Sequence, residues 1–348
     1  MRFKNVYIEA ISYHLPENVV TSSEIEKQLS PLYDRLKLPY GRLEMMSGIR
    51  ERRFWEKGTF PSRVGTLAGE KALLKSGLDR KEIGCLISAS VCRDFLEPAT
   101  ASVVHQNLGL SPDVLLFDIS NACLGVLNGM IHIANMIELG QISAGLVVAG
   151  ENGGPLVDST INELLSNPSI TRSEVKTSFA SLTIGSGAAA VLLVHKDLSR
   201  SGHKLVGGEA CSATEFNNLC RGNEDDGVHS SSTPLMKTES EILKEEGCKL
   251  GGKTWAKTRK TLEWTNKDVD RVFCHQVGEI HRKLLYETLK LDIQKDFSTF
   301  EILGNTGSAS LPITLAMGDE QGLLSKGDKA ALLGIGSGLN SLMLGVEW

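Results

Sequence analysis

The sequence predicts an α/β fold assembled from two similar halves, and three observations carry that prediction. Short apolar, β-rich runs alternate with longer helical stretches along the whole chain. A glycine-rich tetrapeptide occurs twice, as Ile184-Gly185-Ser186-Gly187 and as Ile335-Gly336-Ser337-Gly338, with an apolar run after each copy. The length, 348 residues, suits about two domains and a large buried core.

Three runs have the composition of buried strands: Cys85-Leu86-Ile87-Ser88-Ala89-Ser90-Val91, Leu115-Leu116-Phe117-Asp118-Ile119 and Ala144-Gly145-Leu146-Val147-Val148-Ala149. Residues 124–139 are apolar nearly all round, which predicts a helix inside the domain rather than on its surface. Phe117-Asp118-Ile119 has a loose counterpart in Phe300-Glu301-Ile302, each followed by an Asn-containing turn of small residues. From Phe117 to the first tetrapeptide is 67 residues, and from Phe300 to the second is 35. The first copy thus holds 32 extra residues, placed between 151 and 181 as a lid or dimer-contact insertion. The expected division is an N-terminal half, 1–197, and a C-terminal half, 198–348. Residues 212–232 are polar, and helical periodicity resumes over 238–264.

Bulk properties exclude several classes. Hydrophobic residues at 41% and charged residues at 23% are ordinary for a soluble globular protein. A net charge of −5 with no basic block argues against nucleic acid, and the run Asn223-Glu224-Asp225-Asp226 suits a solvated loop. The seven cysteines include no Cys-x-x-Cys pair, so no metal site is expected, and an odd number suits reduced thiols. The opening Met1-Arg2-Phe3-Lys4-Asn5-Val6 is not a secretory signal, and no apolar run is long enough to span a bilayer. A cytoplasmic protein, not integral to a membrane, is expected.

Three residues sit where chemistry is placed. Cys123, in Asp118-Ile119-Ser120-Asn121-Ala122-Cys123-Leu124-Gly125, lies between a strand and a long helix, where a helix N-terminus favours thiolate. His275 follows the strand-like Val272-Phe273-Cys274, at a turn where an imidazole can accept a thiol proton or donate to an oxyanion. Asn305 stands among small residues in Gly304-Asn305-Thr306-Gly307-Ser308-Ala309-Ser310-Leu311-Pro312, a loop a ligand can approach closely. Taken singly, each also fits a structural part: a core thiol, a satisfied histidine, an Asn-Gly-type turn.

Taken in order, these segments resemble the thiolase superfamily and, within it, the β-ketoacyl-ACP synthase III group with its Cys-His-Asn triad. The resemblance spans the chain: Gly48-Ile49-Arg50-Glu51-Arg52, residues 118–123, His275-Gln276, the Asn305 loop and Gly336-Ser337-Gly338. Within that group, Cys92-Arg93-Asp94-Phe95-Leu96-Glu97-Pro98-Ala99-Thr100-Ala101-Ser102 is similar to OleA-type enzymes, which condense two acyl-CoA molecules head to head in olefin biosynthesis. Residues 212–223 and 332–340 are similar to them also. That family carries a glutamate 26 residues before its nucleophile, which corresponds here to Glu97. The sequence departs from the synthase III pattern at Arg42 and Met46, where a Trp and an Arg are usual, and at Ile280, where an Arg is usual.

The resemblance implies a five-layer αβαβα thiolase fold, a homodimer, and non-decarboxylative Claisen condensation of two fatty acyl-CoA molecules through an acyl-Cys123 intermediate. Backbone N–H groups of Cys123 and Ser337 would form the oxyanion hole. Glu97 of the partner subunit would remove the α-proton of the second acyl-CoA, while His275 and Asn305 hold the enolate oxygen. The product would be a 2-alkyl-3-keto acid passed to downstream olefin-pathway enzymes. CoA thioesters are substrates, and no cofactor is expected. Two other functions remain open: a decarboxylating synthase III using malonyl-ACP, and a non-catalytic thiolase-fold partner subunit.

Overall fold

Alternate residues of each buried strand face different cores, and this period of two builds the layers. The computed structural model describes residues 1–223 and 234–348. Its strands are β1 (Val6–His14), β2 (Asn18–Thr21), β3 (Glu51–Phe54), β4 (Ile83–Ala89), β5 (Leu115–Ile119), β6 (Ala144–Glu151), β7 (Gly187–His195), β8 (Lys204–Ser212), β9 (Cys220–Gly222), β10 (Met236–Thr238), β11 (Arg271–Cys274), β12 (Lys329–Gly336) and β13 (Asn340–Glu347). Its helices are α1 (Ser22–Gln28), α2 (Ser30–Leu36), α3 (Arg42–Ser47), α4 (Pro61–Ser76), α5 (Thr100–Leu108), α6 (Gly125–Glu138), α7 (Gly154–Ser166), α8 (Arg172–Ser178), α9 (Ser240–Leu262), α10 (Glu279–Leu289), α11 (Phe300–Leu303) and α12 (Ser310–Glu320). Most of the acidic run, residues 224–226, lies outside the described residues.

The main sheet runs β11-β12-β13-β8-β1-β7-β6-β4-β5. Its halves meet at β1 and β8, which pair through Tyr7 and Lys204, with Phe3 N–H on the Val206 carbonyl and Ile8 N–H on that of His203. Ile87 and Val147 on one half, with Leu332 and Leu344 on the other, converge on α6 and α12 in a shared core. Their neighbours Leu86 and Val148 face α4 and α5 instead. Leu333 and Met343 face α9 and α10. The order is therefore helix, half-sheet, helix, half-sheet, helix. That is the expected five-layer αβαβα arrangement, and α6 is apolar all round because both half-sheets cover it.

The expected strands at 85–91, 115–119 and 144–149 and the helix at 124–139 are all present, with ends shifted by a few residues. The paired Phe-x-Ile segments are not alike: Phe117-Asp118-Ile119 belongs to β5, whereas Phe300-Glu301-Ile302 forms α11. Backbone donors decide this, because Gln276 Oε1 accepts from Thr299 N–H (2.9 Å) and Phe300 N–H (3.1 Å) and so starts a helical turn. The 151–181 segment folds into α7 and α8, which bury Val157, Ile161 and Leu164 against Ile25, Leu29 and Leu32 of α1 and α2. Among the described residues, no helix is long and apolar enough to cross a membrane.

Candidate active site

Cys123 is presented by a sharp corner between β5 and α6. Ala122 takes a positive φ of 43°, a conformation costing a residue with a side chain roughly 1–3 kcal/mol. Leu124 is the N-cap of α6, so the cysteine stands just outside the helix rather than in its first turn. The expectation of a favoured thiolate is corrected by this placement. Burial, then the charges of Glu151 and Cys220, push the Cys123 thiol up to about 12, outweighing its own backbone N–H. The resting nucleophile is a thiol and needs a proton acceptor.

The glycine turn between β12 and β13 lies against this corner. A side chain on Gly336 would begin 3.5 Å from the Cys123 amide nitrogen and 3.3 Å from Leu124, so the two turns lie in contact. Ser337 is the next residue. A chain of amides fixes the two turns together: Asn121 Nδ2 donates to Asn128 Oδ1 (2.8 Å), and Asn340 Nδ2 to Asn121 Oδ1 (3.4 Å) and the Ser337 carbonyl (3.4 Å).

His275 leaves the end of β11, its N–H donating to the Leu333 carbonyl of β12 at 3.0 Å. The ring is buried, and its Nδ1 has no hydrogen-bond partner among the described residues. Burial, assisted by His281, pushes its pKa down to about 3, so the imidazole is neutral at physiological pH. The neighbouring Gln276 ties this loop to the next, because its side chain receives the first N–H groups ahead of α11 and donates to the Cys274 carbonyl (2.7 Å).

Asn305 follows α11, its backbone pinned by N–H donation to the Thr183 carbonyl (3.0 Å) and acceptance from Gly185 N–H (2.9 Å). Its Oδ1 accepts from Gly307 N–H at 3.0 Å, which leaves the Nδ2 hydrogens to donate elsewhere. Ser308 of this loop reaches the Ala89 carbonyl at the end of β4 (2.6 Å), and its Cβ lies 3.3 Å from where a Gly125 side chain would begin. The three loops thus gather at the carboxyl ends of β4, β5, β11 and β12. The early Gly-Ile-Arg-Glu-Arg segment supports them from below. Arg52 is fully buried and donates to Ser22 Oγ (3.0 Å) and the Leu182 carbonyl (3.1 Å), its Cβ against Gly185 and Gly304.

Glu97 stands apart, exposed on the loop between β4 and α5. That loop is held at one end by Asp94, which accepts from Ser62 N–H (2.8 Å), and at the other by Asp118, which accepts from Thr100 and Ala101 N–H (both 2.8 Å). Sequence reasoning missed Glu151, whose buried carboxylate accepts from Val91 N–H and Ser308 N–H (both 3.1 Å). In sequence it is only an acidic residue closing an otherwise apolar strand, at the carboxyl end of β6, which a solvated glutamate would be also. Arg282 does not replace the usual arginine at 280, since it is spent on Asp296 and Glu279, while Ile280 is exposed. Among the described residues no cluster could hold a metal ion.

Comparison with known proteins matches residues 117–212 to the model of 3-oxoacyl-[acyl-carrier-protein] synthase III and residues 260–348 to its C-terminal model. An acyl-CoA:acyl-CoA alkyltransferase of Shewanella oneidensis is 42% identical, and one of Xanthomonas campestris 40%, each with both chains fully covered. A β-ketoacyl-[acyl-carrier-protein] synthase III of Aliarcobacter butzleri is 27% identical over 95% of this chain and 94% of its own. A crystal structure of Xanthomonas campestris OleA superimposes with a TM-score of 0.94 at 39% identity, covering 100% of this chain and 98% of that one. A serine variant of the same enzyme, with lauric acid and lauroyl-CoA bound, superimposes at 0.93 and covers 99% of this chain and 100% of that one.

Proposed function

The chain belongs to the OleA-like acyl-CoA:acyl-CoA alkyltransferases of the thiolase superfamily, and on that premise we propose that it joins two fatty acyl-CoA molecules without decarboxylation. One observation carries the reading beyond membership: a carboxylate, Glu97, stands on a pinned loop beside the strand that leads to Cys123. Decarboxylating enzymes obtain their carbanion from loss of CO₂ and need no base. Condensing two ordinary acyl thioesters requires removal of an α-proton, and a carboxylate supplies that base.

The reaction proceeds in two halves. His275, kept neutral by burial, takes the thiol proton only in concert with attack of Cys123 on the first thioester carbonyl and passes it to the departing CoA, so no free imidazolium–thiolate pair is formed. The oxyanion is held by the N–H groups of Cys123 and Ser337. A second acyl-CoA then binds with its carbonyl oxygen toward His275 and the Nδ2 of Asn305, whose Oδ1 is engaged by Gly307 N–H. Glu97 takes the α-proton, and the enolate carbon attacks the acyl-Cys123 carbonyl. A C–C bond forms and the Cys123–acyl bond breaks, so the sulfur regains a proton and a 2-alkyl-3-ketoacyl-CoA remains. Water cleaves its thioester, giving the 2-alkyl-3-keto acid and the second CoA, with no cofactor consumed.

Exposure of Glu97 supports a role across a homodimer. β5, which follows its loop and α5, is the outermost strand of the sheet, with Leu115 about half exposed. An open, partly apolar edge of this kind pairs readily with a second copy. A cavity of about 360 Å³ has Arg42, Arg172 and Lys176 over an apolar floor, and CoA phosphates entering it would compete with Glu241 for Lys176 and with the Leu36 carbonyl for Arg172. The protein works in the cytoplasm, and its keto acid passes to olefin-pathway enzymes. The test is stoichiometric: purified protein given lauroyl-CoA alone releases two CoA for each keto acid formed. CoA release that waits on a malonyl thioester would establish the decarboxylating reaction instead.

A further inference from the structure

We propose that Glu151 is a positioning residue for condensation: its buried carboxylate holds the Glu97 loop in register with the Asn305 loop. The inference rests on the two-thioester reaction proposed above and names the residue that aligns its second half.

Glu151 closes β6 and is 4% exposed. A carboxylate so placed is tolerated only when donors surround it. Val91 N–H (3.1 Å) and Cys92 N–H (3.4 Å) come from the start of the loop that carries Glu97. Ser308 N–H (3.1 Å) comes from the Asn305 loop, and Ser308 Oγ lies 2.7 Å from the same oxygen. Other ties run beside the carboxylate: Ser308 Oγ donates to the Ala89 carbonyl (2.6 Å), and the Asn305 backbone is pinned to Thr183 and Gly185, but Glu151 takes backbone N–H groups from both loops at once. Cys92 N–H also reaches Ser90 Oγ (3.1 Å), and Thr306 N–H reaches Ser310 Oγ (2.9 Å). The carboxylate is the group on which both converge.

Gly307 shows how close the fit is. A side chain there would begin 2.9 Å from the Glu151 carboxyl carbon, and Gly307 N–H donates to Asn305 Oδ1 (3.0 Å). Any shift of the carboxylate therefore reaches the amide that holds the enolate. Its charge also falls on Cys123 and helps keep that thiol protonated. Acyl loading needs neither Glu97 nor the alignment of the two loops. Carbon–carbon bond formation needs both, and displacements of about 1 Å in such geometry cost on the order of 10²-fold in rate.

The test uses the full-length protein and lauroyl-CoA alone. Glu151→Gln keeps size and one acceptor oxygen but brings its own N–H groups against those of the loops. The expected result is an intact burst of acyl-enzyme by mass, with steady-state keto acid formation lowered about 10- to 100-fold and KM changed less than about 3-fold. Alkylation of Cys123 by iodoacetamide at neutral pH should be faster than in the wild type, and comparison with Glu151→Asp, which disturbs packing but keeps the charge, separates lost charge from loosened packing. Glu151→Asp retains the charge and should show wild-type alkylation with partial loss of condensation, which keeps the test available if the Gln variant folds poorly. Unchanged turnover in Glu151→Gln would overturn the inference, as would burst and turnover falling together in proportion to a lowered Tm. A wild-type control that makes no keto acid from lauroyl-CoA would instead strike the reaction on which the inference rests.

Discussion

At the scale of single residues, the site pairs a protected thiol with a neutral imidazole. Because Cys123 is pushed up to about 12, its alkylation rate should climb with pH through the alkaline range without a plateau near neutrality. A plateau between about pH 7 and 8 would place the thiol in a quite different field. Cys123→Ala should abolish the acyl mass increase on the intact protein after mixing with acyl-CoA. Glu97 acts only once the acyl-enzyme exists, so Glu97→Gln should leave that burst in place while lowering condensation by about 10²–10⁴-fold. Quenched-flow mass spectrometry separates the two steps, and an unaltered condensation rate would reduce Glu97 to a surface glutamate.

At the scale of elements, the two glycine-rich tetrapeptides sit differently: the first leads into β7, which starts at Gly187, whereas Ile335 and Gly336 of the second end β12. Gly185 lies so close to the chain that a side chain would begin 2.1 Å from the Leu303 carbonyl oxygen, just before the Asn305 loop. Gly185→Ala must move that backbone, so a loss of roughly 1–3 kcal/mol in urea unfolding is expected, with lowered turnover in the folded fraction. Much of this scale was legible beforehand. Apolar runs such as residues 144–149 announce buried strands, and the all-apolar 124–139 announces a helix covered on every side. The Cys123 and Asn305 loops were legible because each sets a polar residue among small neighbours at an element end, and the His275 loop because it follows a strand-like run. Glu151 was not, because nothing in local sequence tells a solvated glutamate at a strand end from one whose donors lie 60 and 157 residues away. Nor was α11 legible as a helix, since its start depends on Gln276, a residue 24 positions earlier. The Cys123 thiol likewise follows distant burial and charge rather than the adjacent helix end.

At the scale of the whole molecule, burial of neutral histidines ties stability to pH. His275 and His281 are held down to about 3 and about 4, below the unfolded value near 6.5. Between those limits the unfolded chain binds more protons, so stability should be complete above about pH 6.5 and fall as the pH drops toward 4. Urea midpoints across that range test this, and His275→Asn should show a shallower fall than the wild type. If Glu97 completes the partner's site, refolding Cys123→Ala with Glu97→Ala should give mixed dimers with one intact site and up to about half the wild-type activity per mixed dimer. No rescue after verified subunit exchange would assign Glu97 to its own subunit. The central claim, that two acyl-CoA molecules combine with neither giving up CO₂ to make the bond, is tested most directly by isotopic labelling. Lauroyl-CoA carrying ¹³C at its carbonyl carbon, incubated with the protein alone and analysed before the keto acid decarboxylates, should yield a 2-alkyl-3-keto acid with two labelled carbons, one ketone and one carboxyl. A product that forms only after a malonyl thioester is added, and that carries a single label at the ketone, would contradict it.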